Sequence, residues 1–331
     1  MGTQPSPLAP TWQWLEDINH PGANMILRRA GHALAWPRGG EADRRRFLDM
    51  PSVSGALDRQ NSDGSWGGAA PSEDRVLPTL WVLKALVDGG LDRDTEQVSH
   101  AIEFLGNVGR ARLGYFSTSR DDAGVSGCLI GLAERLYRDA GAHDLADRQL
   151  EWLRRFQQIV VDGEPQREID EWEFARAPRC ALCGQDNPCT LSVVRAAGAW
   201  ARSEFEEDAA LAVLAREEVL RRLADPDYIA ALGLPTPGPK PDTWISMGFP
   251  MDWHLDLLGV LDEVSVGVSA ADERATGAVN LLMTLRRSEG SFSRGWHVTS
   301  GYLRGFAVPE KGLGNAMATA RAAVVLERWL G

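Results

Sequence analysis

Three of the four cysteines fall within ten residues, in the run Cys180-Ala181-Leu182-Cys183-Gly184-Gln185-Asp186-Asn187-Pro188-Cys189. A C-x-x-C pair lets two thiolates face one ion, and Gly184 permits the tight knuckle that follows it. Pro188 reads as a helix entrance, which sets Cys189 in a first turn, where the aligned peptide dipoles favour a thiolate. Thiolate and imidazole together suit a tetrahedral zinc ion. Cys180, Cys183 and Cys189 are therefore the expected zinc ligands, with His254 as the fourth and His297 as its competitor. Free thiols in a loop and a disulfide are the alternatives. Four such ligands would close the coordination sphere, as in a structural site, whereas withdrawal of Cys180 would open a position for catalysis. Asp252 and Asp256 flank His254 and are the candidate acid–base residues; Asp256 is also placed to orient the imidazole. Helix capping competes with that role, most strongly at Asp252. Cys128 lies in an apolar stretch and reads as a small core residue.

The elements that must position these groups repeat. Leu57-x-x-Gln60-Asn61-Ser62-Asp63-Gly64-Ser65-Trp66 joins two apolar stretches through a polar, glycine-containing turn. Weaker versions run from Phe104-Leu105 through Gly109 to Gly114-Tyr115-Phe116, from Trp152-Leu153 to Asp162-Gly163, and from Leu281-Leu282 to Gly290-Ser291-Phe292. The first three are about 48 residues apart, a spacing of the kind that marks stacked helical units. Each unit reads helix, turn, helix, with glycine supplying a positive φ and an aromatic plugging the turn. Apolar helices are expected over 77–87, 125–136, 190–201, 254–261 and 316–329, and more charged ones over 93–105 and 144–158. Trp244, Trp253 and Trp296 read as turn plugs or cavity wall. Inner apolar helices alternating with outer amphipathic ones predict an all-α ring of paired helices, the α/α toroid of (α/α)6 type.

Composition narrows the class. The chain has 331 residues, is 44% hydrophobic, and carries a net charge of -11. That is enough apolar material for one large core, and a closed ring lets a single domain span 1–331, with 1–10 as a disordered tail. No basic stripe is present, which argues against a nucleic-acid partner. No run of about 18 apolar residues is present, which argues against a membrane span. A soluble, cytoplasmic protein with a small-molecule substrate is expected; the sequence is silent on oligomeric state.

The turn at Gln60–Trp66 resembles the "QW" motif of squalene and oxidosqualene cyclases. With Asn19-His20-Pro21-Gly22, Cys128-Leu129-Ile130-Gly131-Leu132, Cys183-Gly184 to Cys189, Phe249-Pro250-Met251-Asp252-Trp253-His254 and the Thr319-Ala320-Arg321 helix, the chain resembles the terpenoid cyclase and protein prenyltransferase superfamily. Bacterial prenyltransferase-like, squalene-cyclase-like proteins are the nearest group. The resemblance implies the α/α toroid and a role in specialised metabolism. In prenyltransferase β-subunits it also implies a rim zinc, held by Asp, Cys and His, that activates a thiol. The departures are as informative. Arg120-Asp121-Asp122-Ala123 lacks the first aspartate of the cyclase Asp-x-Asp-Asp motif, there is no Asp-Asp-x-x-Asp, and the Cys-His-Gly of lanthipeptide cyclases is missing. The leading expectation is a zinc-dependent enzyme acting on a small or apolar metabolite in the toroid cavity, the metal serving as Lewis acid or thiolate activator. A non-catalytic toroid that binds a peptide or lipid around a structural zinc is the alternative. A prenyltransferase or terpene cyclase is a third reading, and it demands basic, diphosphate-binding residues inside the cavity.

Overall fold

Apolar residues at helical spacing are answered by helix after helix. The structure, a computed structural model, describes residues 6–32, 38–119, 122–161, 163–172, 177, 189–224, 255–266, 272–292 and 315–330. Among these, the α-helices are α1 (Ala9–Ile18), α2 (Pro21–Leu27), α3 (Glu41–Leu48), α4 (Pro51–Leu57), α5 (Val76–Asp88), α6 (Glu96–Asn107) and α7 (Gly127–Asp139). They continue with α8 (His143–Phe156), α9 (Thr190–Ala201), α10 (Glu206–Leu223), α11 (Leu257–Ser265), α12 (Thr276–Thr284) and α13 (Ala316–Leu330). The sheet among the described residues is a two-residue antiparallel hairpin, β1 (Val160–Val161) with β2 (Glu164–Pro165). The expected all-α class is what the described chain shows. No described helix is long and apolar enough to cross a membrane.

The division into apolar and amphipathic helices is visible in burial. Helix α9 buries every residue from Leu191 to Trp200. Its chain neighbour α8 buries one stripe through Ala146, Leu150, Leu153 and Phe156, and turns its arginines outward. Helix α7 packs on α8 and on α9, α9 on α10 and α11, α11 on α13, and α13 on α2. Most of these faces join one core, while Leu15, Ala23, Leu27, Ala320 and Ala323 form a second cluster where α1, α2 and α13 meet.

Three of the four repeated turns are built alike. In each, one residue donates its N–H to the carbonyl four residues on, and the glycine donates back to that first residue's carbonyl. The pairs are Asn61 with Ser65 and Gly64, Ala111 with Tyr115 and Gly114, and Arg287 with Ser291 and Gly290. Gly64, Gly114 and Gly290 have φ of 84°, 81° and 100°, a region that costs other residues energy. A Cβ on Gly64 would lie 2.3 Å from the His100 carbonyl oxygen, and one on Gly290 would lie 2.2 Å from that of Pro10. The aromatic that follows is pinned in the same way at the two outermost turns. Thr79 Oγ1 accepts the Trp66 N–H at 2.9 Å, and Thr319 Oγ1 accepts the Phe292 N–H at 2.9 Å. The Trp66 indole donates to Ala56 O at 2.7 Å, and the Gln60 amide donates to Gly64 O and Gln97 O. The expected fourth turn differs: Gly163 sits in the β1–β2 connection, where open space would meet a Cβ.

Two boundaries depart from expectation. Residues 6–10 were expected in a tail, but Leu8 is buried and α1 starts at Ala9, because α1 covers the Gly290 turn. Thr11 Oγ1 donates to Gly290 O at 2.8 Å. Helix α11 starts at Leu257 rather than 254, because Asp256 takes the N-cap and accepts the Gly259 N–H at 2.7 Å.

Candidate functional site

Helices α7 and α9 lie side by side and run the same way. Gly127 opposes Ser192 and, one turn on, Gly131 opposes Arg195; a Cβ on Gly131 would come within 2.6 Å of Arg195 Cβ. The glycines let the two helices approach closely. The parallel arrangement gathers both helix starts at one end and both finishes at the other.

The start end carries two thiols. Cys128 is the second residue of α7, and Cys189 is the N-cap residue of α9 rather than a first-turn residue. Both are free and half-buried. The Cys189 thiol lies near enough to the Cys128 thiol for each to shift the other's titration. Ser126 Oγ lies 3.3 Å from Cys128 Sγ, and the buried Arg195 guanidinium donates to the Cys128 carbonyl. The neighbouring Cys189 thiol, with help from the Arg195 charge and Ser126 and against the cost of burial, holds the Cys128 thiol well below its ordinary range. Cys189 is pushed up by the neighbouring Cys128 thiol, by burial and by the charge on Cys128. Cys128, expected as a small core residue, is half-buried and lies near Cys189.

Of the residues singled out from sequence, Cys180, Cys183, Asp252, His254 and His297 lie outside the described residues. Cys189 and Asp256 lie within them. Asp256 is only 2% exposed, and its described bond is the cap of α11. Among the described residues no group of three or more metal-binding side chains is assembled.

The finish end is charged. Arg135 of α7 donates to Asp262 Oδ2 at 2.6 Å and to Glu263 Oε1 at 2.8 Å. Arg202, just after α9, reaches Glu263 Oε2 at 2.8 Å and Glu134 Oε2 at 3.4 Å. Arg328 of α13 reaches Asp262 Oδ1 at 3.1 Å, and Lys84 of α5 pairs with Asp88. Gly198 makes room for this lattice, since a Cβ there would fall 1.8 Å from Glu263 Oε2. Helix finishes present unpaired carbonyls and negative dipole ends, which is why guanidinium groups collect here. Burial raises the Asp262 carboxyl, yet Arg135, Arg328 and Arg321 outweigh it and hold the group at about 2. Glu263 is likewise lowered by Arg202 and Arg135 against its burial. For Glu134 burial wins over Arg202 and Arg138, and its carboxyl is raised. Burial lowers Lys84, which Asp88 opposes and Arg321 reinforces.

This lattice walls a cavity of about 210 Å³. Its lining includes Arg29, Arg135, Arg202, Arg321 and Arg328, with Asp88, Asp139 and Asp262 and the apolar Ile26, Val266, Val324 and Val325. The sequence reading missed the site. Its members are spread from Arg29 to Arg328, and no local pattern links Arg135 to Asp262. Neither any protein-family model nor any curated protein matches this chain.

Proposed function

We propose that this chain is an α/α toroid whose central cavity binds a small metabolite bearing negative charge. The observation that carries the reading is the cavity wall, lined by five arginines and three aspartates. Arginine presents a planar fork of donors suited to carboxylate and phosphate. Arg202 reaches this wall while pairing with Glu263 and Glu134. The toroid reading draws on the succession of packed helices α7, α9, α11 and α13, on their pairing with α8 and α10, and on the three matching turns.

The same reading puts a zinc ion at the start end of α7 and α9. Cys189 is a ligand there, and Cys180, Cys183 and His254 are the further ligands that spacing suggests. Seven residues separate Cys128 from Arg135, a rise of about 10 Å along α7. A metabolite gripped by Arg135 is therefore beyond bonding reach of the metal, and the zinc holds the helix starts together rather than attacking substrate. A second reading, the zinc-dependent enzyme, is favoured by the donors that stabilise a thiolate at Cys128. It needs a substrate long enough to reach from the arginines to the metal.

The test is thermal unfolding of the full chain with pyrophosphate, citrate and an uncharged polyol, at low and high salt. Binding to the native state alone raises the melting temperature with ligand concentration. Stabilisation by the anions, weakened in Arg328→Gln and Arg321→Gln, is expected. Equal effects of all three ligands, or anion effects untouched by both substitutions, would remove the proposal. A preference for pyrophosphate over citrate would favour the prenyl-transfer version of the family.

A further inference from the structure

We infer that the ligand of the arginine-lined cavity is a zwitterion, an α-amino acid with a short apolar side chain, whose carboxylate lies on Arg29 and whose ammonium lies on Asp139. This rests on the anion-binding reading above and names the class of molecule that the same cavity takes.

Arg135 already donates to Asp262 and Glu263, Arg202 to Glu263 and Glu134, and Arg328 to Asp262. Arg29 differs. Its Nη1 donates to Val87 O at 2.6 Å and its Nη2 to Leu91 O at 3.1 Å. Neutral carbonyls thus fix the guanidinium at the finish of α5 and leave its charge uncancelled. A guanidinium carries more N–H groups than two carbonyls engage, and its fork matches a carboxylate.

Asp139 is the counterpart of opposite sign. It is the last residue of α7, where the helix dipole disfavours a negative charge. Arg135 Nε donates to it across a long 3.4 Å, while the same guanidinium is drawn closer to Asp262 and Glu263. A cation placed there would offset the dipole.

The two residues also share a place. A second cavity, of about 460 Å³, lies against Gly39 and Gly40, and both Arg29 and Asp139 line it as well as the 210 Å³ cavity. The two cavities therefore meet at this pair. The inner one adds Ile26, Val266, Val324 and Val325, an apolar cover for an aliphatic arm. At about 210 Å³ it falls below the roughly 300–1,000 Å³ of pockets for drug-sized molecules, which suits a short branched chain. A ligand with no ammonium would leave Asp139 unmet, and pyrophosphate would bring further negative charge against it.

Isothermal titration calorimetry of the full chain with L-leucine, 4-methylpentanoate and isopentylamine tests this. Leucine should bind, and loss of either charged group should weaken binding about tenfold or more. Asp139→Asn should lower leucine to the level of 4-methylpentanoate, and Arg29→Gln should lower it to that of isopentylamine. 4-Methylpentanoate that binds as tightly as leucine would overturn the amino-acid assignment and leave the anion reading standing. Binding of pyrophosphate without binding of leucine would do the same. No binding of leucine, pyrophosphate or citrate would remove both. The comparison of ligands uses the unaltered chain, so it decides the matter even where a variant does not fold.

Discussion

The two ends of the α7–α9 pair are made from the same helices and do opposite things. At the starts, free N–H groups and positive dipole ends surround sulfur, and two cysteines meet. At the finishes, free carbonyls and negative dipole ends draw guanidinium groups, and an ionic lattice forms around a cavity. The helix backbone is polar along its axis, so a parallel pair sorts anionic and cationic chemistry to opposite ends before any ligand arrives. The finish end is crossed by ion pairs among its own carboxylates and guanidinium groups, whereas the start end holds two thiols beside helix N-termini.

That contrast predicts where stability resides. In the metal-free chain, Arg135→Gln should cost about 3–5 kcal/mol in urea unfolding, because Asp262 and the 3%-exposed Glu263 lose a buried partner. Cys128→Ala should cost no more than about 1 kcal/mol under the same conditions. Equal losses would erase the distinction between the ends.

Acid should act on the finish end. The Asp262 carboxyl is depressed in the folded state, so its contribution is complete above the ordinary value of 3.8 and is lost as pH falls through about 2. About 2 kcal/mol should disappear across that interval in unfolding followed by circular dichroism. Arg328→Gln removes one of the depressing charges and should flatten the slope; an unchanged slope would show that the lattice does not govern Asp262.

A smaller effect belongs to the turns that precede α5 and α13. Thr79→Val and Thr319→Val each leave a buried N–H, of Trp66 or Phe292, without its acceptor. Each should cost about 1–2 kcal/mol, and similar values would show that the two turns are mechanically equivalent. Smallest in energy is the difference between the thiols. In metal-free protein Cys128 should be alkylated at a pH well below the ordinary thiol value of about 8.5, and Cys189 only later. Simultaneous labelling would mean that neither thiol shifts the other.

What could be read from the sequence follows from how local each signal is. The helices over 76–88, 190–201 and 316–330 and the turns at Gly64, Gly114 and Gly290 obey short-range rules of spacing and φ, and they lie where expected. Asp256 reads from sequence as an acid–base candidate with helix capping as its competitor, and among its contacts is the cap of α11. Cys128 was read as core because its neighbours along the chain are apolar; its true neighbour comes from α9. The arginine wall was invisible for the same reason. Arg135 meets Glu263 across 128 positions, and in sequence both look like ordinary charged residues of a helix face.

The seating of Gly290 against Pro10 has a consequence for how the protein is made. Helix α1 is synthesised early, yet the turn it covers emerges some 280 residues later. Until then its buried face, with Leu8 and Leu15, lacks the cover of α13 and the Gly290 turn, and loop closure over that span is slow compared with the local pairing of α7 with α8. The nascent chain must therefore carry that apolar face until the turn is made, a state in which chaperone capture or pairing with a second nascent copy competes with correct folding.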